Sequence, residues 1–484
     1  MTVPARRSPL TRPLSAALAA ALLLAPVAGA QAGRLLDALQ AAQLNDPQFR
    51  NAVARHDASV EAAPLARAAL LPSLIASAAA DRERYQLSDN DNLIVDPTDP
   101  QPAADRANFS ATRNTYALDL RQTLWDLEAF QRLRAANLQK AEAQATLRAA
   151  EQQLMLRVAE AYFGVLAAAD ALSANRAERD AYAGLVDQAQ KRLRTGLGAR
   201  IGVEEAQAFY SLTAQAVSDA ELQLFDAQRA LQQLTGSALP VAALRDSIPL
   251  LAPQPADAGA WLSAARDDNY SVQAAQLRMQ ALQRQSAAEA ARHGPNVSLR
   301  GSLGRSDAPA LLGGDQRVDS IGVVAEWPIF QGGLVTAQHR EAQALVRAAQ
   351  ADYAAERSTA ERETLAAFRG VLAGMRNIQA ARRAVDANQT ALTASRNGVE
   401  AATRTEFDLL NAQNNYYAAL RAYFQSRYDY LRNGLRLKAQ AGRLSAADLA
   451  AIDALLDGND SITLPAEPIA AIDADQLQPL PESP

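Results

Sequence analysis

Two stretches without proline, each close to seventy residues long, dominate this sequence. They cover residues 126–195 and 334–401. Apolar residues recur in them at helical spacing, as at Leu147, Leu154 and Val158. A helix of seventy residues is about 105 Å long at 1.5 Å per residue, whereas helices in globular domains seldom exceed about 20 residues. The sequence therefore predicts coiled-coil rods or a helical array.

Four shorter helices are predicted by the same pattern, near 36–71, 203–235, 259–293 and 405–441. Two of these placed end to end match the length of one long helix. We therefore expect each long helix to pack beside a stacked pair of short ones. The abundance of alanine, leucine, arginine and glutamate is typical of such long helices.

The second half of the chain repeats the first. The spacing from Phe49 to Pro72 recurs from Val272 to Pro295. Each half therefore predicts, in order, a helix, two strands, a long helix and a short helix. Extra residues in the first half fall in its strand-to-strand loop, 88–113, where Pro, Asp and Asn accumulate.

These observations predict five segments. A leader over 1–30 precedes a first repeat over 31–235, and a linker over 236–258 leads to a second repeat over 259–441. The last segment, 442–484, is rich in Pro and Asp.

The leader has the pattern of a secretory signal peptide. Three arginines precede an apolar run from Leu14 to Val27, and Ala28-Gly29-Ala30 follows it. The run is shorter than the roughly 20 residues of a membrane-spanning helix. We therefore expect cleavage near Ala30 and export of the chain.

Short alternating segments predict the strands. Apolar and polar side chains alternate over 116–124, 297–303 and 321–329, and more weakly over 74–80. One apolar and one polar face over about ten residues is typical of a transmembrane β-strand, although a soluble sheet packed on a helix shows the same pattern. The leader and the aromatic residues at strand ends favour the membrane. Those aromatic residues are Trp125, Trp327 and Phe330.

Four strands per chain cannot close a barrel by themselves, and open sheet edges are not tolerated in lipid. If these strands span a membrane, several chains must share one barrel. Two chains would supply eight strands and three would supply twelve, and the pattern leaves both open.

Several classes of protein are excluded by composition. The absence of cysteine rules out disulfides, thiol catalysis and a lipid anchor on cysteine. A net charge of −5 gives no indication of nucleic-acid binding. His56, His293 and His339 are scattered outside any catalytic motif, and Gly332-Gly333 is interpreted as a strand-to-helix turn. We therefore expect no enzyme activity, no cofactor and no metal site.

Six short motifs are spread along both halves of the chain. They are Asn45-Asp46-Pro47, Leu71-Pro72, Gln122-Thr123-Leu124-Trp125-Asp126, Ala161-Tyr162-Phe163, Trp327-Pro328-Ile329-Phe330-Gln331-Gly332-Gly333 and Thr403-Arg404-Thr405-Glu406-Phe407-Asp408-Leu409-Leu410-Asn411-Ala412-Gln413. Together they resemble the TolC family of outer-membrane channel proteins, up to about Leu456, and the last two are the specific ones.

The resemblance implies an α+β membrane protein. It would be a trimer with a 12-stranded β-barrel, four strands per chain, continued by a periplasmic α-helical coiled-coil tunnel. The segments 236–258 and 442–484 would form an equatorial belt around that tunnel.

The resemblance also implies a function. The chain would be the outer-membrane exit duct of a tripartite export system, passing drugs or secreted proteins to the outside. Its partners would be two further copies of itself, a periplasmic adaptor, an inner-membrane transporter of the RND, ABC or MFS type, and outer-membrane lipid. A periplasmic or surface coiled-coil structural protein, such as an adhesin stalk without a channel, is the alternative from another class.

Two turns between long and short helices would form the periplasmic entrance and receive the adaptor. The residues assigned to them by the resemblance are Gly196, Leu197, Ala199, Ala402 and Thr403. A glycine at such a turn equally suits a helix cap, so the role in docking depends on the resemblance.

A gate at this entrance would be held by Arg404, but two of its expected partners are absent. Gly202 stands where the family has an aspartate, and Val399 stands where it has a tyrosine. Either Glu204 or Glu205 is a candidate for the missing carboxylate. The loss of the aspartate predicts that the entrance is held less firmly than in a typical member.

The narrowest point of the channel would be ringed by Asp408. A second acidic ring residue of the family is Asn411 here. The resemblance therefore predicts a single ring of carboxylates in the pore, with amide groups one helical turn further along.

Overall fold

A computed structural model of the chain describes residues 34–86, 108–196, 198–307, 314–401 and 403–462. The predicted signal peptide over 1–30 and the tail beyond 462 lie outside the described residues.

The two long stretches each form one continuous helix. Helix α4 is Leu127–Arg194, with 68 residues, and helix α8 is Leu334–Glu400, with 67 residues. Asp126 caps α4 by accepting a hydrogen bond from the backbone N–H three residues further on. Gly332 and Gly333 precede α8 with φ of 61° and 85°, a left-handed conformation that favours glycine, so this pair is the predicted strand-to-helix turn.

The other helices are shorter. They are α1 (Leu35–Asn45), α2 (Pro47–Val60), α3 (Ala62–Ala68), α5 (Arg200–Thr235), α6 (Ala258–Asp267), α7 (Tyr270–Ala291), α9 (Glu406–Gln440) and α10 (Ala446–Asp453). None of these described helices, nor α4 or α8, combines the length and apolar character needed to cross a membrane.

Two of the predicted short helices are interrupted. The helix expected over 36–71 breaks at Asp46, because Pro47 has no N–H to donate and disfavours a helical conformation in the residue before it. Asp46 then caps α2 and binds Arg157 of α4 at 2.5 Å. The helix expected over 259–293 breaks at Asn269, whose side chain caps α7.

Each long helix packs beside a stack of shorter ones. Helix α4 contacts α5 along one part of its length and α2, α3 and α7 along the other, while α8 contacts α9 and then α6 and α7. The predicted packing of a long helix beside a stacked pair is confirmed.

Four strands form one antiparallel sheet in the order β1-β2-β4-β5. They are β1 (Ser73–Gln86), β2 (Asn108–Trp125), β4 (Asn296–Asp307) and β5 (Gln316–Glu326). The strands are longer than the predicted ten residues, and β2 begins inside the segment 88–113 that the sequence assigned to a loop. Strands β1 and β5 are the two open edges.

The register gathers the apolar side chains on one face. Leu118 lies opposite Ala76 and Leu303, because directly paired residues of antiparallel strands point to the same side. The same face carries Leu74, Leu120, Leu299, Ile321 and Val323. In the single chain this face is open, and Ile321 is 77 % exposed. We call it the outward face.

The largest hydrophobic core surrounds the middle of α4 and α8, and we call it the midsection core. Two short strands pair beside it, β3 (Val241–Leu244) and β6 (Leu456–Ile462). Its large apolar side chains are Leu154, Tyr162, Phe163, Leu166, Phe368 and Tyr428. The Asp453 carboxylate at the end of α10 accepts hydrogen bonds from the N–H groups of Leu35 and Leu36, at 2.8 and 3.2 Å, and so fixes the start of α1 on this core.

Candidate functional site

The free ends of α4, α5, α8 and α9 meet at the end of the molecule farthest from the four-stranded sheet. We call the segments 192–206 and 395–411 the helix tips. Gly196 ends α4 with φ of 73°. Leu197 and Ala402, two of the predicted docking residues, lie outside the described residues.

Both turns are fixed by local hydrogen bonds. The N–H of Gly198 donates to the carbonyl of Arg192 at 3.0 Å. In the second turn, the Thr403 hydroxyl and N–H both donate to the carbonyl of Gly398, at 3.1 and 2.8 Å. Of the predicted docking residues, Gly196, Ala199 and Thr403 therefore lie at the ends of the helix hairpins.

Arg404 makes its hydrogen bond within its own hairpin. Its guanidinium group donates to the hydroxyl of Ser395 on α8 at 2.6 Å, and Ser395 is buried. Glu204, one candidate for the missing carboxylate, lies 3.6 Å from Arg200 on its own helix. Within one chain, Arg404 therefore links α8 to the start of α9.

A different carboxylate occupies the position beside Gly202. Gly202 is buried, and a Cβ atom added to it would overlap the Oε2 atom of Glu406. The Oε1 atom of Glu406 lies 3.4 Å from Nε of Arg192 at the end of α4. The ion pair between α9 and α4 thus passes directly over the glycine, which has no side chain to obstruct it.

A cavity of about 20 Å³ lies at this junction. Val399 is buried at its wall, and Gln188 and Glu406 supply polar groups. A volume of this size with polar partners is sufficient for one water molecule.

Asp408 lies on the exposed side of α9 and closes a capping box with Thr405. The hydroxyl and N–H of Thr405 donate to Asp408 Oδ2 at 2.7 and 2.9 Å, and the N–H of Asp408 donates back to the hydroxyl at 3.1 Å. The side-chain and backbone hydrogen bonds from Thr405 hold the pKa of Asp408 below its usual range. Asn411 follows one turn later, and its amide donates to the carbonyl of Phe407 at 3.0 Å.

A partly buried ion pair lies between the tips and the midsection core. Glu178 of α4 binds Arg421 of α9 at 2.5 Å, and the same guanidinium nitrogen donates to Asn175 at 2.9 Å. Burial raises the pKa of Glu178, and Arg421 opposes that shift. Nearby, the Tyr182 hydroxyl donates to the carbonyl of Leu410 at 3.1 Å.

Sequence reasoning missed Glu406, Arg192, Glu178 and Arg421. Arg192 and Glu406 are more than two hundred positions apart in the sequence, and their pairing depends on how α4 packs against α9. One signal was present: a glycine at position 202, within a helix, leaves room for a neighbouring side chain.

Comparison with known proteins places the chain among bacterial outer-membrane proteins. The model of the family "Outer membrane efflux protein" matches residues 38–237 and 261–443. The alkaline protease secretion protein AprF of Pseudomonas aeruginosa is 30% identical over 420 residues, which are 86% of this chain and 85% of AprF. The outer membrane protein TolC of Escherichia coli is 29% identical over 438 residues, 87% of this chain and 85% of TolC.

Solved structures share the fold. The outer-membrane channel OprN superposes with a TM-score of 0.72 at 21% identity, covering 84% of this chain and 89% of OprN. The outer membrane protein VceC of Vibrio cholerae superposes with a TM-score of 0.71 at 20% identity, covering 84% of this chain and 96% of VceC.

Proposed function

The chain belongs to the outer membrane efflux protein family, and on that premise we propose that it is the outer-membrane exit duct of a tripartite export system. The observation that carries the proposal is the four-stranded sheet with an apolar outward face and two open edges. It stands at one end of helical hairpins about 100 Å long at 1.5 Å per residue. A coiled-coil structural protein without a channel does not require a sheet with an exposed apolar face and two unpaired edges.

The open edges support a shared barrel of three chains. In a trimer, β5 of one chain would pair with β1 of the next, giving twelve strands and no free edge. A barrel of eight strands, which two chains would form, is filled by its own side chains, whereas a larger barrel leaves an open lumen. An export duct requires the lumen, so the trimer is the better solution.

The long hairpins would then continue the lumen as a tunnel through the periplasm. We place the docking of a periplasmic adaptor at the helix tips, on Gly196, Leu197, Ala199, Ala402 and Thr403. An inner-membrane transporter of the RND, ABC or MFS type would supply the cargo. Two relatives are named for protease secretion, AprF and PrtF of Dickeya chrysanthemi, which supports a protein among the cargoes.

Two sets of side chains at the tips would control passage through the duct. The Arg192–Glu406 pair holds α9 to the end of α4 across Gly202 in each chain. Three copies of Asp408 would face one another around the threefold axis, with Asn411 one turn along. Carboxylates held close together repel, so a multivalent cation entering the ring relieves that repulsion.

Conductance in planar bilayers tests the proposal. The purified protein is expected to migrate as a trimer in detergent and to open channels that a trivalent cation blocks from the periplasmic side. Block should be nearly absent in Asp408→Asn and stronger in Asn411→Asp, with Asp429→Asn, an exposed acid far from the tips, as the matched control. A monodisperse monomer with native helix content would refute the duct. Equal block in wild type and Asp408→Asn would remove Asp408 from the pore.

A further inference from the structure

The outward face of the sheet carries arginines near the ends of the strands that lie farthest from the helices. Arg305 of β4 lies directly opposite Arg317 of β5. Arg82 and Arg84 of β1 lie on the same face, because they follow Ala78 at even intervals and Ala78 shares a row with Tyr116 and Arg305. The helices join the strands at their opposite ends. The arginines therefore lie at the end of the sheet that would face the exterior of the cell.

The arginines are open to their surroundings. The side chains of Arg305 and Arg317 are 64% and 76% exposed. Each is held by an aspartate two residues along its own strand, with Nε donating to Asp307 at 2.7 Å and to Asp319 at 3.0 Å. These bonds use the inner edge of each guanidinium group. A terminal nitrogen of Arg305 also lies 4.0 Å from Asp315, whereas the terminal nitrogens of Arg317 make no hydrogen bond to any described residue.

The two faces of the sheet differ in charge. Within the described strands, the outward face has four arginines, Arg82, Arg84, Arg305 and Arg317, and two acids, Asp307 and Asp319. The opposite face has three arginines and four acids: Arg113, Arg121, Arg300, Asp81, Glu83, Asp119 and Glu326. The excess positive charge therefore lies on the side that would face lipid, where a charge is tolerated only close to the headgroups.

The depth of the arginines fits the outer headgroups. Val297 pairs with Trp125 at the helical end of the sheet, and Arg305 follows eight residues later on the same strand. Eight residues extend about 27 Å at about 3.4 Å each. With a strand tilt of about 40°, this distance covers most of an apolar band about 25 Å tall.

We propose that Arg305 and Arg317 of one chain, together with Arg82 and Arg84 of the next, bind the phosphate groups of an outer-leaflet lipid. The proposal rests on the trimeric barrel of the proposed function, because only there does β5 meet the β1 of a neighbouring chain. Guanidinium groups bind phosphate oxygens in pairs of parallel hydrogen bonds, and two arginines side by side match a phosphate monoester. The barrel would present three such sites, one at each junction between chains.

Native mass spectrometry of the full chain in lipid nanodiscs tests this site. The discs contain phosphatidylcholine with either diphosphoryl lipid A or the same lipid A with its phosphates removed. Wild type is expected to retain up to three copies of diphosphoryl lipid A per trimer and at least fivefold less of the dephosphorylated form. The double variant Arg305→Gln/Arg317→Gln should lose at least fivefold of the phosphate-dependent binding.

The matched control removes the same charge from the other face. Arg121→Gln/Arg300→Gln should bind diphosphoryl lipid A as wild type does, and Arg305→Lys/Arg317→Lys should show intermediate binding. Equal retention of both lipids by wild type would overturn the phosphate site but not the proposed exit duct. The same holds if the control variant loses as much binding as Arg305→Gln/Arg317→Gln. A chain that forms no trimer in the discs overturns both proposals.

Discussion

The midsection core and the helix tips share α4, α5, α8 and α9, but the core is also packed by α1, α6, α10 and the strands β3 and β6. In the middle, large side chains such as Tyr162, Phe163 and Tyr428 are at most 1 % exposed. Near the tips, the buried apolar cluster in the described part of the chain is smaller, with Tyr182, Val186, Ala206 and Leu410, and Val399 and Leu409 are buried beside it. The contacts at the tips are therefore fewer and weaker than those in the middle.

The smaller apolar cluster at the tips indicates where the helices can move. Regions with few buried apolar contacts open at a lower free energy than the core to which they are attached. The Arg192–Glu406 ion pair between α4 and α9 can separate without disturbing the aromatic side chains around Phe163. We therefore expect any parting of the helices to begin at the tips, while the midsection core keeps them aligned.

The largest effect is expected from a cavity in the midsection core. Phe163→Ala removes a fully buried ring that lies 6.2 Å from Tyr428, centroid to centroid, and should cost about 3–5 kcal/mol of unfolding free energy. Phe407→Ala removes a half-exposed ring at the tips and should cost about 1 kcal/mol or less. Chemical unfolding followed by circular dichroism measures both. Similar costs would show that the tips are as firmly packed as the middle.

The next largest effect is expected from Gly202→Asp. The resemblance to the family predicts that this aspartate would close the entrance more firmly, whereas the structure predicts the opposite. An aspartate introduced by Gly202→Asp would place its Cβ against the Glu406 carboxylate, so we expect the tips to loosen and bilayer conductance to rise severalfold. Gly202→Ala adds the Cβ alone and should give a smaller rise. Gly202→Asp/Glu406→Ala exchanges the Glu406 carboxylate for that of the introduced aspartate beside Arg192 and should restore low conductance. A fall in conductance in Gly202→Asp would instead support a direct pair with Arg404.

A smaller effect is expected where α10 caps α1. Asp453→Ala leaves the N–H groups of Leu35 and Leu36 without their acceptor and should cost about 1 kcal/mol. Asp453→Asn keeps an oxygen acceptor and should recover most of that loss. Faster hydrogen exchange over 35–45 in Asp453→Ala, without a change at the tips, is the expected signature. Unchanged exchange in that helix would contradict the role of the cap.

The smallest effect is a difference in pH dependence between Glu178 and Asp408. Burial raises the pKa of Glu178, so the folded chain binds its proton more readily and this region gains stability as pH falls toward the usual glutamate pKa. Thr405 lowers the pKa of Asp408, so the stability from its capping box is present above the usual aspartate pKa and is lost only as pH falls below it.

Unfolding midpoints between pH 7 and pH 5 measure this difference. Glu178→Gln should reduce the gain in stability at pH 5, whereas Asp408→Asn should leave it unchanged. A remainder is expected in Glu178→Gln, because burial also raises the pKa of Asp170 and Asp453. A wild-type midpoint that does not shift over this range would show that Arg421 fully compensates the burial of Glu178.

Much of the architecture was determined by the sequence alone. The absence of proline and the helical spacing of apolar residues predict α4 and α8 to within two residues, because backbone propensity and periodicity act locally. The alternation of side chains predicts the four strands and the apolar face for the same reason. The family motif also predicted that Arg404 and Asp408 lie beside a turn between a long and a short helix, where the structure has them.

Breaks in the short helices were decided by particular local contacts. The sequence at Asn45-Asp46-Pro47 contains a helix stop, but the Asp46–Arg157 pair that holds it forms only when α2 packs on α4. The start of α1 likewise depends on Asp453, more than four hundred residues away. Contacts between residues that are far apart in the sequence produce no periodic pattern, so they cannot be predicted from periodicity.

The carboxylate that lies beside Gly202 is set by how α9 packs against α4 and α5. From the sequence, Glu204 and Glu205 were the natural candidates, because they are close to position 202 along the chain. In the fold they lie on the same helix as the glycine and one of them meets Arg200, whereas α9 brings Glu406 across to Arg192. Distance along the chain says little about distance across a packed pair of helices, so an ion pair between helices is fixed by their packing.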